Sequence, residues 1–148
     1  MIKKSEITKQ ILTNSGWYPG RKIDIKRTVD FLESKGYKLF PCVVDMLSEF
    51  GGLNCSFTRP NGDRDSFYIV PEEAYGDYYE KEDFIEIELR INEQIIAIGE
   101  ARDSNMIMFM SESGKVFGEM GYCLVKFGDD IFDALETLCL VLPGEEIK

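Results

Sequence analysis

Among its 148 residues the chain has no histidine. Histidine is the side chain whose ordinary pKa best suits proton transfer near neutrality, and it is the commonest metal ligand. Its absence excludes the usual serine and cysteine triads, histidine acid–base pairs and histidine zinc sites, leaving carboxylate or lysine chemistry as the enzymatic routes. Cysteine is sparse: Cys42, Cys55, Cys123 and Cys139 are widely scattered without a Cys-x-x-Cys pair. Each lies among apolar neighbours, as buried free thiols do, which argues against a disulfide framework. Long apolar runs are missing as well. Nothing approaches the roughly 18 residues of a membrane span. Residues 1–10 are polar and charged, without the apolar centre of a secretory signal. A cytoplasmic protein is therefore expected.

Basic charge is also scarce, with 17 Lys and Arg against 27 Asp and Glu, a net charge of −10. The imbalance is uneven: residues 1–40 carry +5 and residues 41–148 carry −15, which sum to that total. Such a charge opposes binding to nucleic acid or anionic lipid and favours a basic partner, besides keeping the protein in solution. The length suits one domain, whose core can bury roughly 70% of the unfolded surface without a disulfide or metal.

What is present organises around residues 47–53, Leu-Ser-Glu-Phe-Gly-Gly-Leu, where helical spacing stops and strand alternation begins. Gly51 suits a left-handed helix-closing residue, Gly52 an abrupt change of direction, and Phe50 a seal between helix and sheet. Before this hinge three helices are predicted. Ser5 caps the first, with Ile7, Ile11 and Leu12 on one face; Asp24 caps the second, with Ile25, Val29 and Leu32; Pro41 opens the third. Between the first two, Gly16-Trp17-Tyr18-Pro19-Gly20-Arg21 reads as a compact turn, either anchored by Trp17 in the core or presenting Trp17 and Tyr18 to a partner. Lys22, Lys26 and Arg27 form a small basic face, read as a solvated helix surface in preference to a phosphate site.

After the hinge, strands at 55–58 and 66–69 flank the turn signal Pro60-Asn61-Gly62-Asp63. Pro71 ends the second strand. Residues 72–88 then hold eight carboxylates against Lys81. Residues 84–91 are ambiguous: Ile85, Ile87, Leu89 and Ile91 alternate as in a strand, yet Phe84, Ile87 and Ile91 form a helical stripe. A strand at 95–98 ending at Gly99, a hairpin of 106–110 with 115–118, and a strand at 122–127 follow. Asp129 then caps a last helix that Pro143 stops. The pattern predicts one α+β domain over 1–148.

The order of motifs is similar to that of the SUKH superfamily, most of all its third type of bacterial immunity protein. The motifs are Gly16-Trp17 with Pro19 and Arg21, then residues 47–53, then Ala97-Ile98-Gly99, then Gly114-Lys115-Val116-Phe117, then an acidic closing helix. The resemblance covers nearly the whole chain. It implies N-terminal helices packed on a twisted, mainly antiparallel sheet, with a C-terminal helix. It also implies a helix over 79–91 with Asn92 as its left-handed cap. Two positions depart from the family pattern: Ala97 stands where proline is usual, and Phe117 where tyrosine is common. Gly16, Trp17, Pro19, Arg21, Phe50, Gly51, Gly52, Gly99 and Gly114 are expected to shape the fold.

Members of that superfamily resemble antitoxins that bind the toxic C-terminal domain of a bacterial toxin. The resemblance thus implies a cognate toxin domain as partner, many such toxins being nucleases. The acidic charge adds that this partner is basic and argues against direct contact with nucleic acid or membrane. No cofactor is expected, and a monomer is the favoured state. The expected binding surface rests on chemistry. Glu72, Glu73, Asp77, Glu80, Glu82, Asp83 and Glu86 would supply charge for a cationic cleft, and Tyr75, Tyr78 and Tyr79 aromatic anchors. A solvated loop with packed tyrosines is the alternative for this stretch. Two other functions compete: a regulatory protein-interaction module, and an enzyme using Asp129 with Asp130 or Glu72 with Glu73. Adjacent carboxylates commonly serve as helix-start residues.

Overall fold

The computed structural model describes residues 5–148. Ser5 accepts a hydrogen bond from the Thr8 amide and starts α1 (Glu6–Asn14). Leu12 is buried and Ile11 half-buried as expected, whereas Ile7 faces solvent and Thr8 takes the inward place beside it. α2 (Lys26–Ser34) has Ile25, not Asp24, at its N-cap. The Asp24 carboxylate accepts from the Lys26 amide in a local turn just ahead of the helix. α3 (Pro41–Phe50) opens on its proline, where a missing N–H costs nothing.

The hinge works differently from the prediction. Gly51 is extended, and the left-handed residue is Gly52, at φ +81°. Glycine is still required at position 51, because a Cβ there would collide with the Leu47 carbonyl oxygen. Gly52 then donates to Ile69 O, and Ile69 to Leu53 O, which turns the chain directly into the sheet.

Seven strands follow in sequence order as one antiparallel sheet. They are β1 (Asn54–Thr58), β2 (Arg64–Tyr68), β3 (Ile95–Ala101), β4 (Met106–Ser111), β5 (Val116–Met120), β6 (Cys123–Gly128) and β7 (Glu145–Ile147). Gly62 supplies the positive φ of the first hairpin. β3 does not end at Gly99. It continues to Ala101 through a bulge between Ala97 and Gly99, and a Cβ at Gly99 would collide with the Tyr68 carbonyl of β2. β6 starts after Tyr122, which lies in the turn. The β7 edge strand has no counterpart in the sequence prediction.

Between β2 and β3 the chain forms a short α4 (Pro71–Tyr75), a 3₁₀ turn (Lys81–Phe84) and α5 (Ile85–Ile91). The helix implied for 79–91 is therefore present from Lys81 on, and Asn92 closes it at φ 58°. Local strand alternation loses because Phe84 and Ile87 bury a helical stripe, with Ile91 half-buried beside them. α6 (Ile131–Cys139) is capped by Asp130, which accepts from the Asp133 amide. Asp129 instead pairs with Lys126, and the helix is over before Pro143.

Helices cover both faces of the central strands. Phe109 packs edge-on against Phe84 at 4.9 Å, while its neighbour Met110 lines a hollow with Met46 of α3. Adjacent strand residues point to opposite faces. The cysteines are free; Cys55 and Cys139 are buried and Cys42 partly so, but Cys123 is exposed, contrary to expectation, because it opens β6 at its outer end.

Candidate functional site

The predicted acidic surface divides into residues that hold the fold and residues that face solvent. Tyr75 belongs to the first group and is not an exposed anchor. It has no solvent exposure, its hydroxyl donates to Tyr37 at 2.5 Å, and it accepts the Ala97 amide at 3.1 Å. Around it stand Phe31, Tyr37 and Phe84, with Lys35 Nζ 5.8 Å from its ring. Burial pushes its phenol well above the ordinary value, so it stays protonated. Glu72 is docked similarly: Oε2 accepts from Thr28 of α2 at 2.9 Å, and Oε1 is buried without a hydrogen-bond partner among the described residues.

Glu80 and Asp83 form a capping box, each carboxylate accepting the other's backbone amide at the start of the 3₁₀ turn. Glu80 also pairs with Lys35 at 2.7 Å. Both are exposed, yet their carboxylates are engaged in shaping the loop. Glu88 accepts the Ile95 amide and fastens α5 to β3.

The second group is Glu73, Asp77, Tyr78, Glu82 and Glu86. All five are exposed, and the four carboxylates have no side-chain partner among the described residues. Tyr78 is 87% exposed, whereas Tyr79 leans on Phe84 at 5.4 Å and is only partly open. One segment thus carries an inner aromatic box and an outer acidic face.

Of the residues expected to shape the fold, Trp17 and Arg21 meet the end of α3. Trp17 is buried and donates Nε1 to Glu49 at 3.0 Å. Arg21 donates to the carbonyls of Glu49 and Gly51, satisfying acceptors that the helix end leaves open. The turn 16–21 is therefore a clamp on the hinge, and its exposed aromatic is Tyr18 alone. Gly114, at φ +94°, brings the β4–β5 turn beside Cys42. Sequence reasoning missed the hollow beyond it, of about 270 Å³, where Asp45, Glu49 and Asp130 surround Met46, Met110 and Phe132. Its signal was present: Cys42, Asp45, Met46 and Glu49 follow the i, i+3, i+4, i+7 stripe of one helix face.

Three of the four carboxylates raised as catalytic candidates have structural places: Asp129 bonds Lys126, Asp130 caps α6, and Glu72 bonds Thr28, while Glu73 faces solvent. No helix among the described residues is long and apolar enough to cross a membrane.

No curated protein and no solved structure matches the chain. The profile of the SUKH-3 immunity proteins matches residues 4–141, nearly the whole sequence. The chain belongs to the SUKH-3 immunity protein family.

Proposed function

We propose that this chain protects its producing cell by binding the toxic C-terminal domain of a cognate bacterial toxin, a basic nuclease, and occluding it one to one. The observation that carries the proposal is the set of uncommitted carboxylates, Glu73, Asp77, Glu82 and Glu86, exposed beside Tyr78 on a chain of net charge −10. An enzyme that grips phosphates needs a cationic cleft. Acidic side chains free of internal partners steer encounter with such a cleft, and an exposed aromatic supplies a contact to hold it. Tyr79, Glu80 and Asp83 border this surface, while Tyr75 and Glu72 support it from beneath. The protein acts as a cytoplasmic monomer, without cofactor and without touching nucleic acid itself.

The test is co-expression with the toxin-like domain encoded beside the gene, scored by growth and by co-purification. Rescue with a stable equimolar complex supports the proposal. Growth arrest despite abundant folded protein rejects the pairing and favours a regulatory interaction module.

A further inference from the structure

α5 is apolar on two sides, and folding accounts for only one. Its inner side is Phe84, Ile87 and Ile91, against the sheet. On the outer side Ile85 and Leu89, four residues apart, share a face with Glu86, and Glu82 lies one turn earlier. Leu89 is 74% exposed and Ile85 48%. A single exposed aliphatic is ordinary, but here two share one helix face and more exposed apolar side chains lie on the element that the end of α5 touches. Arg90, next to Leu89, donates to the carbonyls of Tyr122 and Ile147, at 3.4 and 2.6 Å. That places the end of α5 beside the β5–β6 turn, where Tyr122 is 98% exposed and Met120 also opens to solvent.

We infer that the outer face of the 3₁₀ turn and α5, continued by the β5–β6 turn, is the contact surface for the toxin, with Leu89 and Tyr122 as its anchors. This rests on the immunity reading and moves the centre of the surface away from α4. The occupant is decided by charge. A second copy of this chain would bring Glu82 and Glu86 against like charges in a partly desolvated contact, which opposes pairing. A basic protein surface with an apolar hollow meets both features, pairing its cations with the carboxylates and burying Leu89 and Tyr122. The acidic residues then govern association and the apolar ones dissociation.

Leu89→Ser and Tyr122→Ser remove exposed side chains and leave the core untouched. With the toxin domain encoded beside the gene, each variant is expected to dissociate at least tenfold faster than wild type, with unchanged thermal midpoint and nearly unchanged association rate. Glu82→Lys with Glu86→Lys is expected to slow association at least tenfold and flatten its salt dependence. Unchanged dissociation in both apolar variants, while wild type binds, overturns this inference and leaves the immunity reading standing. A dimer in sedimentation that Leu89→Ser dissolves assigns the face to a second copy and also overturns it. Failure of the wild type to bind rejects the immunity reading itself, and this inference with it.

Discussion

Replacing Tyr75 by phenylalanine removes one oxygen from a site with no solvent access, and the structure allows its effect to be worked out. In the native protein a relay runs from the Ala97 amide to the Tyr75 hydroxyl and on to the Tyr37 hydroxyl. Ala97 sits at the edge of the β3 bulge, and its N–H points to Tyr75 rather than into the β3–β4 ladder. Without the hydroxyl this buried donor is orphaned, at about 1–3 kcal/mol, and Tyr37 loses its donor, at about 1 kcal/mol. Tyr75→Phe should therefore cost about 2–4 kcal/mol, lowering the thermal midpoint by roughly 5–12 °C for a domain of this size. Proline at position 97 would have no N–H to satisfy. In an Ala97→Pro background the same Tyr75→Phe change should cost about 1–2 kcal/mol less. Urea denaturation of the four proteins of this cycle gives the coupling directly. Equal cost in both backgrounds, or a Tyr75→Phe effect below about 0.5 kcal/mol, refutes the relay.

Three further outcomes are expected. Gly99→Ala should cost more than about 3 kcal/mol or abolish soluble expression, since backbone rather than a movable side chain opposes the new Cβ; a native urea midpoint would contradict this. Arg21→Ala should cost about 1–3 kcal/mol by releasing the carbonyls of Glu49 and Gly51, with Arg21→Lys in between; equal urea midpoints would deny the clamp. Burial pushes the Tyr37 phenol up to about 12, and burial, with Cys55 nearby, pushes the Cys139 thiol up to about 12. The folded state then holds more protons than the unfolded one above pH 9, so stability is full below that pH and falls as pH rises towards 12. The slope is about 1.4 kcal/mol per pH unit for each such group. A urea midpoint constant from pH 8 to 11.5 would contradict the shifts.

The parts of the fold legible in the sequence were those with local causes. Ser5 at a helix start, Pro41 at a first turn and Gly62 in the first hairpin all take the places their own chemistry dictates. Errors came where tertiary contacts decide. Gly51 and Gly52 exchange roles because the tight approach of Leu47 O, and not φ, selects glycine at the first position. The β7 strand is three residues of an edge and carries no alternation of its own. The strand-like reading of 84–91 is more instructive. Ile85 and Leu89 complete the alternation with Ile87 and Ile91, and they are the two that the helix leaves exposed.

The candidate site was half legible for a related reason. Composition located the acidic stretch, but only the hydrogen bonds separate Glu80, Asp83 and Glu88, engaged in the loop, from Glu82 and Glu86, which are free of side-chain partners. Reversing Glu80 or Asp83 would perturb the capping box along with the surface, so Glu82 and Glu86 are the cleaner probes of binding.

The central claim is neutralisation by stoichiometric binding, and the most direct test is to titrate the purified toxin domain with this protein while following the toxin's activity. Linear loss of activity to a sharp end at one equivalent, weakened by salt, is the predicted result. Inactivation by a small fraction of an equivalent would mean turnover, and activity persisting in excess protein would mean no occlusion; either would contradict the account.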